Sequence, residues 1–234
     1  DLLRTTYSQN HSLSVSGGSE KTKVILSVNY MKDKGIRMNS GYSRWNASVK
    51  VQQEIAKNLK LNFDARYYEV GLEGKNDLDM ISTAFRYKPI DNPLGNGDYG
   101  GFGVGSVNVE DTSNPVLQLN DYVRNNKRYG LRAQTSLAWE IIKGLTVTTD
   151  LGLGRSWNDN KDFQYGLTTK SGKPYAKWEK KDGWNVRSAT TVNWQVQGLG
   201  DDHSLSFLAG NEVLANNNSS TTIEGAGYPA SYGP

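Results

Sequence analysis

Cysteine is absent from the 234 residues, so no disulfide framework, thiolate metal site or cysteine nucleophile is available. Long apolar runs are absent too. Hydrophobic residues make up 36%, and the mean hydropathy of −0.65 leaves no stretch able to cross a bilayer as a helix. Charge of one sign is also lacking: Lys+Arg 27 against Asp+Glu 24 leaves +3, too mild and too interspersed for a nucleic-acid partner. The start, Asp1-Leu2-Leu3-Arg4, has no basic segment followed by an apolar core, so it does not read as a signal peptide. The last residues, 230–234, have loop composition. Both ends therefore lead us to expect a piece of a longer chain.

What is abundant is glycine, tyrosine and tryptophan, at 25, 13 and 6 residues, and they fall within a pattern of period two. Trp45, Ala47, Val49 and Val51 alternate with Arg44, Asn46, Ser48 and Lys50. Phe63, Ala65 and Tyr67 alternate with Asp64 and Arg66, and Leu131 and Ala133 with Arg132 and Gln134. Leu151 and Leu153 alternate with Asp150 and Gly152, and Val192 and Trp194 with Asn193 and Gln195. Alternation of this kind predicts strands with one apolar and one polar face, and a low mean hydropathy conceals it. Less regular strands are expected at 7–16, 21–31 and 204–213.

The predicted connections alternate short and long. Short turns fall near Gly17-Gly18, at 56–58, at 142–144 and at 198–202. Long ones fall at 32–41, 69–127 and 158–183, with an open tail from Leu214. Short turns on one side and long loops on the other are the layout of an antiparallel up-and-down transmembrane β-barrel.

The aromatic residues sit at two heights on the apolar parity. Tyr30, Trp45, Tyr67, Tyr129, Trp157 and Trp184 lie near the long loops, and Trp139 and Trp194 near the short turns. The interval from Tyr129 to Trp139 rises roughly 23 Å at about 3.3 Å per residue and about 45° tilt, close to the ~25 Å apolar band of such barrels. Val49, Phe63, Leu131, Leu151 and Val192 are expected on the lipid side. Arg44, Asp64, Arg132, Asp150 and Asn193 are expected on the other.

The opening segment Ser8–Thr22, with Leu26-Ser27-Val28-Asn29-Tyr30, Gly35-Ile36 and Gly41-Tyr42-Ser43-Arg44-Trp45-Asn46, resembles the first barrel strands of SusC/RagA-type TonB-dependent transporters. Asn114-Pro115-Val116-Leu117 is similar to a recurring loop element of that family, and 203–210 to a later strand. The resemblance implies a 22-stranded barrel in the outer membrane around an N-terminal plug. It also implies energy supplied through the TonB complex, a SusD-like surface lipoprotein as partner, and oligosaccharides or peptides as cargo. About eight strands are present, so residues 1–234 read as a partial barrel domain without plug or terminal strands.

No catalytic or cofactor-binding constellation is legible, and an enzyme is not expected. His11 and His203 have no metal-ligand spacing around them. Their serine neighbours, Ser12 and Ser204, are close to them only in sequence, whereas a triad needs a histidine oriented by a carboxylate next to the nucleophile. Gly101–Gly105 has no phosphate-loop continuation, and Asp91–Asp98 departs from a calcium-loop pattern. A short helix over 77–87 would gather Met80, Ile81, Ala84 and Phe85 on one face. The candidate substrate-binding residues are loop aromatics: Tyr99, Phe102, Phe163, Tyr165, Tyr175 and Trp178. Flat rings beside polar groups suit sugars or peptides, and equally suit packing of loop on loop or of loop on lid. Two other readings stay open: a complete eight-stranded structural or adhesive barrel of the OmpA kind, and a soluble carbohydrate-binding β-sandwich.

Overall fold

The computed structural model describes residues 3–74, 84–85, 115–166, 172–199 and 203–227. The candidates Tyr99 and Phe102, the Gly101–Gly105 and Asp91–Asp98 segments and most of the 77–87 helix lie outside them. Within that helix Ala84 and Phe85 are described, and both are helical.

The strands are β1 (Ser8–Gly18), β2 (Thr22–Lys34), β3 (Gly41–Ala56) and β4 (Leu59–Glu73), followed by the helix α1 (Pro115–Asp121). β5 (Tyr122–Ile142), β6 (Leu145–Gln164), β7 (Tyr175–Gln195) and β8 (Ser206–Ala226) complete the set. They form one sheet in sequence order, every neighbour antiparallel. The connections therefore alternate between two rims: 19–21, 57–58, 143–144 and 196–205 on one, 35–40, 74–121 and 165–174 on the other. Gly144, at φ +86, makes the tight two-residue turn possible, because side chains avoid that region. Pro115 opens α1, where its fixed φ suits the first helical turn and its missing N–H is not needed.

The register settles the parity. Leu26, Val49 and Ala65 are neighbours in one row across β2, β3 and β4. Phe63, Thr135 and Leu151 form another row across β4, β5 and β6. Val192 lies opposite Val147 on the same face. Arg66 and Arg132 pair on the opposite face, as do Lys50 and Asp64. The expected separation of Leu131 from Arg132, and of each other pair, is observed.

Three expected boundaries are corrected. β4 continues to Glu73 and β5 starts at Tyr122, so the connection placed at 69–127 is 74–121. β6 continues to Gln164 and β7 starts at Tyr175, which shortens 158–183 to 165–174. The open tail expected from Leu214 is strand: β8 runs to Ala226 and pairs with β7 through Asn216, Asn217, Asn218, Ser219 and Ser220. The cause is common to all three. From the aromatic level outward the need for an apolar face ends, so apolar alternation stops while backbone pairing continues.

Among the described strands β1 pairs only with β2, and β8 only with β7. The complete eight-stranded barrel needs β1 against β8, and that pairing is not made. The sandwich needs two packed sheets, and these strands form one. Its faces are uncovered: the buried apolar residues among those described are Leu119, Phe163 and Ala189.

Candidate functional site: the polar face and its long-loop rim

The apolar face carries the two aromatic rows. Tyr30 lies on Trp45 with ring centroids 4.4 Å apart, and Tyr129 stacks on Trp157 at 5.5 Å. At the short-turn end Trp194 meets Phe207 at 5.8 Å. Leu131, Leu137, Leu151, Leu153 and Val192 lie between the rows, all solvent-exposed. Such a band of exposed leucine and valine marks a face meant to be covered.

The polar face carries several separate clusters of hydrogen bonds and ion pairs. Asn29 donates to Asn10 and to Ser12, both at 2.7 Å, and Asn46 donates to Asn29 at 3.3 Å. Arg66 pairs with Asp64 at 2.9 Å and Arg187 with Glu212 at 2.7 Å. Two open clefts lie on this face. One of about 450 Å³ is lined by Arg44, Asn46, Ser48, Lys50, Arg66 and Tyr68. The Tyr68 ring lies over Gly130, where a Cβ would come within 2.2 Å of it. The other, about 340 Å³, lies between β6, β7 and β8 beside Asn158, Lys181, Gly183 and Asn218.

At the long-loop rim α1 is tied down. Asn39, in a left-handed conformation at φ 54, donates to the Leu119 carbonyl and to Asn120 Oδ1, both at 3.2 Å. Asp121 is fully buried; Gln164 donates to its carboxylate at 3.2 Å, and the Tyr165 amide to its carbonyl at 2.9 Å. Above the aromatic level, burial first and a hydrogen bond to Asp162 second push the Tyr122 hydroxyl well above its usual value. At the same height hydrogen bonds from Asn160 and Lys181 hold the Glu179 carboxyl below the usual range.

The described candidate aromatics do not converge. Phe163 is buried, 7% exposed, with its ring edge-on to Tyr165 at 4.8 Å. Tyr175 is on the polar parity, and its hydroxyl donates to Glu224 at 3.1 Å. Trp178 is on the apolar parity, 44% exposed. Its indole N–H donates to Asp159 at 2.6 Å, and the Lys161 ammonium sits 5.5 Å from the ring. The two clefts were not singled out from the sequence. The polar-parity residues Arg44, Ser48 and Lys50 were the available signal.

An uncovered antiparallel sheet with an apolar face between aromatic rows and a hydrated polar face defines a wall segment of a transmembrane β-barrel. In sequence the chain is similar to TonB-dependent receptor P3 of Formosa agariphila, 32% identical over 162 residues, which are 65% of this chain and 16% of that one. It is similar to TonB-dependent receptor P26 of the same organism, 23% identical over 210 residues, 86% of this chain and 20% of that one. The chain thus spans a fifth or less of these relatives. In fold it matches the RagAB peptide transporter, with TM-score 0.76, 13% identity, and 97% of this chain against 26% of that one. It also matches FpvA of P. aeruginosa in complex with a pyoverdine, with TM-score 0.59, 10% identity, and 92% of this chain against 26% of that one. No protein-family model matches the chain. The resemblance to SusC/RagA-type TonB-dependent transporters carried by the opening strands is borne out by these relatives and by the fold.

Proposed function

We propose that the chain is part of the barrel wall of an importer in the bacterial outer membrane. The importer is energised through the TonB complex, takes up oligosaccharides or peptides, and carries a SusD-like surface lipoprotein as its lid. The observation that supports this best is the apolar face of β2–β8, exposed between two aromatic rows at the spacing of a lipid band. The sequence relatives named as TonB-dependent receptors support it independently. On this reading the polar face lines the lumen, and the 35–40, 74–121 and 165–174 connections open to the outside. Tyr99, Phe102, Tyr165 and Tyr175 contact cargo or lid there, Phe163 holds Tyr165 in place, and Trp178, on the outward parity, meets the lid rather than the cargo. Catalysis is not part of this reading.

The test uses the full-length protein in its own cells. It should fractionate with the outer membrane and change mobility on a gel when boiled. Uptake of labelled oligosaccharides or peptides should stop when the proton-motive force is collapsed. Recovery in the soluble fraction, or uptake indifferent to energisation, would remove the proposal.

A further inference from the structure

The cations on the polar face of β3, β4 and β5 are not balanced within the wall. Glu54, opposite Lys60, and Glu140 sit at the short-turn end of this face; above them Arg44, Lys50, Arg66, Arg128 and Arg132 share it with a single carboxylate, Asp64. That carboxylate is already engaged by Arg66 at 2.9 Å. Arg44 bonds only the neutral amide of Asn46, at 2.9 Å. Lys50, Arg128 and Arg132 make no hydrogen bond or ion pair among the described residues, and all five cations are exposed. The register places Arg66 directly opposite Arg132, and Arg44 and Arg128 on either side of Val70. Like charges facing each other across strands destabilise a sheet unless something else neutralises them.

The imbalance is local. On the polar face of β7 and β8 Lys181 pairs with Glu179 at 3.1 Å and Arg187 with Glu212 at 2.7 Å. It also has a direction. Below Arg124, which is paired at the long-loop rim with Asp162 at 3.3 Å, Arg128 and Arg132 follow one another down the same face of β5. Lys50 lies deeper still, opposite Asp64. Beside the track is the open cleft of about 450 Å³.

The geometry points to a polyanionic cargo, an oligomer bearing several carboxylates or sulfates, that is drawn inward along Arg128, Arg132 and the facing Arg44, Arg66 and Lys50. This inference rests on the importer reading and narrows its cargo. Cations of one sign lining a cleft against a low-dielectric wall focus the field and concentrate anions. Rings and rows of arginine and lysine select anions in other pores by the same means. A charge track that descends from the rim in steps suits a solute that moves. A fixed acidic filling of the lumen would need only one static match at one height.

The test compares four fluorescently labelled probes on the full-length protein: hexagalacturonate, a neutral hexasaccharide, hexaglutamate and a neutral hexapeptide. Binding is measured in detergent, without energisation, and uptake is measured separately in cells. At least one anionic probe should bind about tenfold tighter than its neutral counterpart, with a preference that shrinks as salt rises. Which of the two anions leads tells saccharide from peptide. The double variant Arg128→Gln/Arg132→Gln should lose about tenfold in anion binding with its melting temperature unchanged. Anion binding without uptake would remove the importer reading and leave this inference standing. Equal binding of neutral and anionic probes, or no binding of any, would overturn it. So would a variant that binds as before but melts at a different temperature, since its arginines would then answer to the protein's own acidic groups.

Discussion

Gly130 shows what a single position does in this wall. It pairs with Tyr68 across β4 and β5, and a Cβ there would lie 2.2 Å from Tyr68 Cε1 and 2.7 Å from its hydroxyl. The missing side chain is therefore the seat of the ring, and the ring is one side of the cleft that holds Arg44 and Arg66. Gly130→Val should destabilise the full-length protein by about 1–3 kcal/mol in chemical denaturation, the usual cost of overpacking. Tyr68→Ala should remove most of that cost, because the two changes share one contact and cannot be additive. Equal penalties for Gly130→Val with and without Tyr68 would show that the ring is not seated there. Nothing in the sequence marks this pairing. The two residues are far apart along the chain, and a register slip of one residue would bring Tyr68 to a different partner.

Elements were legible where the environment forced a pattern. Between the aromatic rows one face must be apolar and the other polar, so residues 131–137 and 145–153 alternate and their faces could be assigned. At mid-depth Ala133 and Gln134 are neighbours on opposite faces. Ala133→Arg should cost about 2–4 kcal/mol, the penalty for a lipid-facing charge at the midplane, whereas Gln134→Arg should be near neutral. Similar costs in denaturation of the two variants would contradict the assignment of faces. Above the aromatic level this logic fails. The Asn-Asn-Asn-Ser-Ser run of β8 has the composition of a loop, yet it pairs with Lys181–Asn185 of β7. The need for an apolar face ends there, so alternation stops, and the strand persists through its ladder. Asn218 has room because Gly183 opposite it has no side chain. Backbone amides over 216–220 should therefore exchange with deuterium as slowly as those of their β7 partners. Exchange as fast as in an unstructured peptide would return this segment to a loop. The loop aromatics were the least legible part. Composition identifies Tyr175 and Trp178 as rings, but only the register shows that they point to opposite faces.

At the scale of the molecule, the two outermost strands decide what the sheet can be. In lipid every backbone donor and acceptor needs a partner, so a transmembrane sheet must close on itself. Here the outer edges of β1 and β8 have no strand partner among the described residues. Closing on each other would give eight strands and a lumen just wide enough for side chains. The polar face argues against so narrow a bore. It presents exposed Arg44, Arg66, Arg128 and Arg132 and two clefts of hundreds of cubic ångströms, which eight strands could not keep hydrated. A larger barrel, with further strands between β8 and β1, accommodates them. These 234 residues carry no cysteine, so once any cysteine elsewhere in the full-length protein is replaced by serine, an introduced pair is read without background. Leu13→Cys on β1 can be combined in turn with Asn211→Cys, Val213→Cys or Ala215→Cys on β8, all on the same face. In the full-length protein in membranes, none of the three pairs should form a disulfide under mild oxidation. Leu13→Cys with Val28→Cys, directly opposed across β1 and β2, should form one readily and serves as the control. A β1–β8 disulfide in any of the three would mean that the strands close at eight, and the wall would then be a complete small barrel with no passage for a solute.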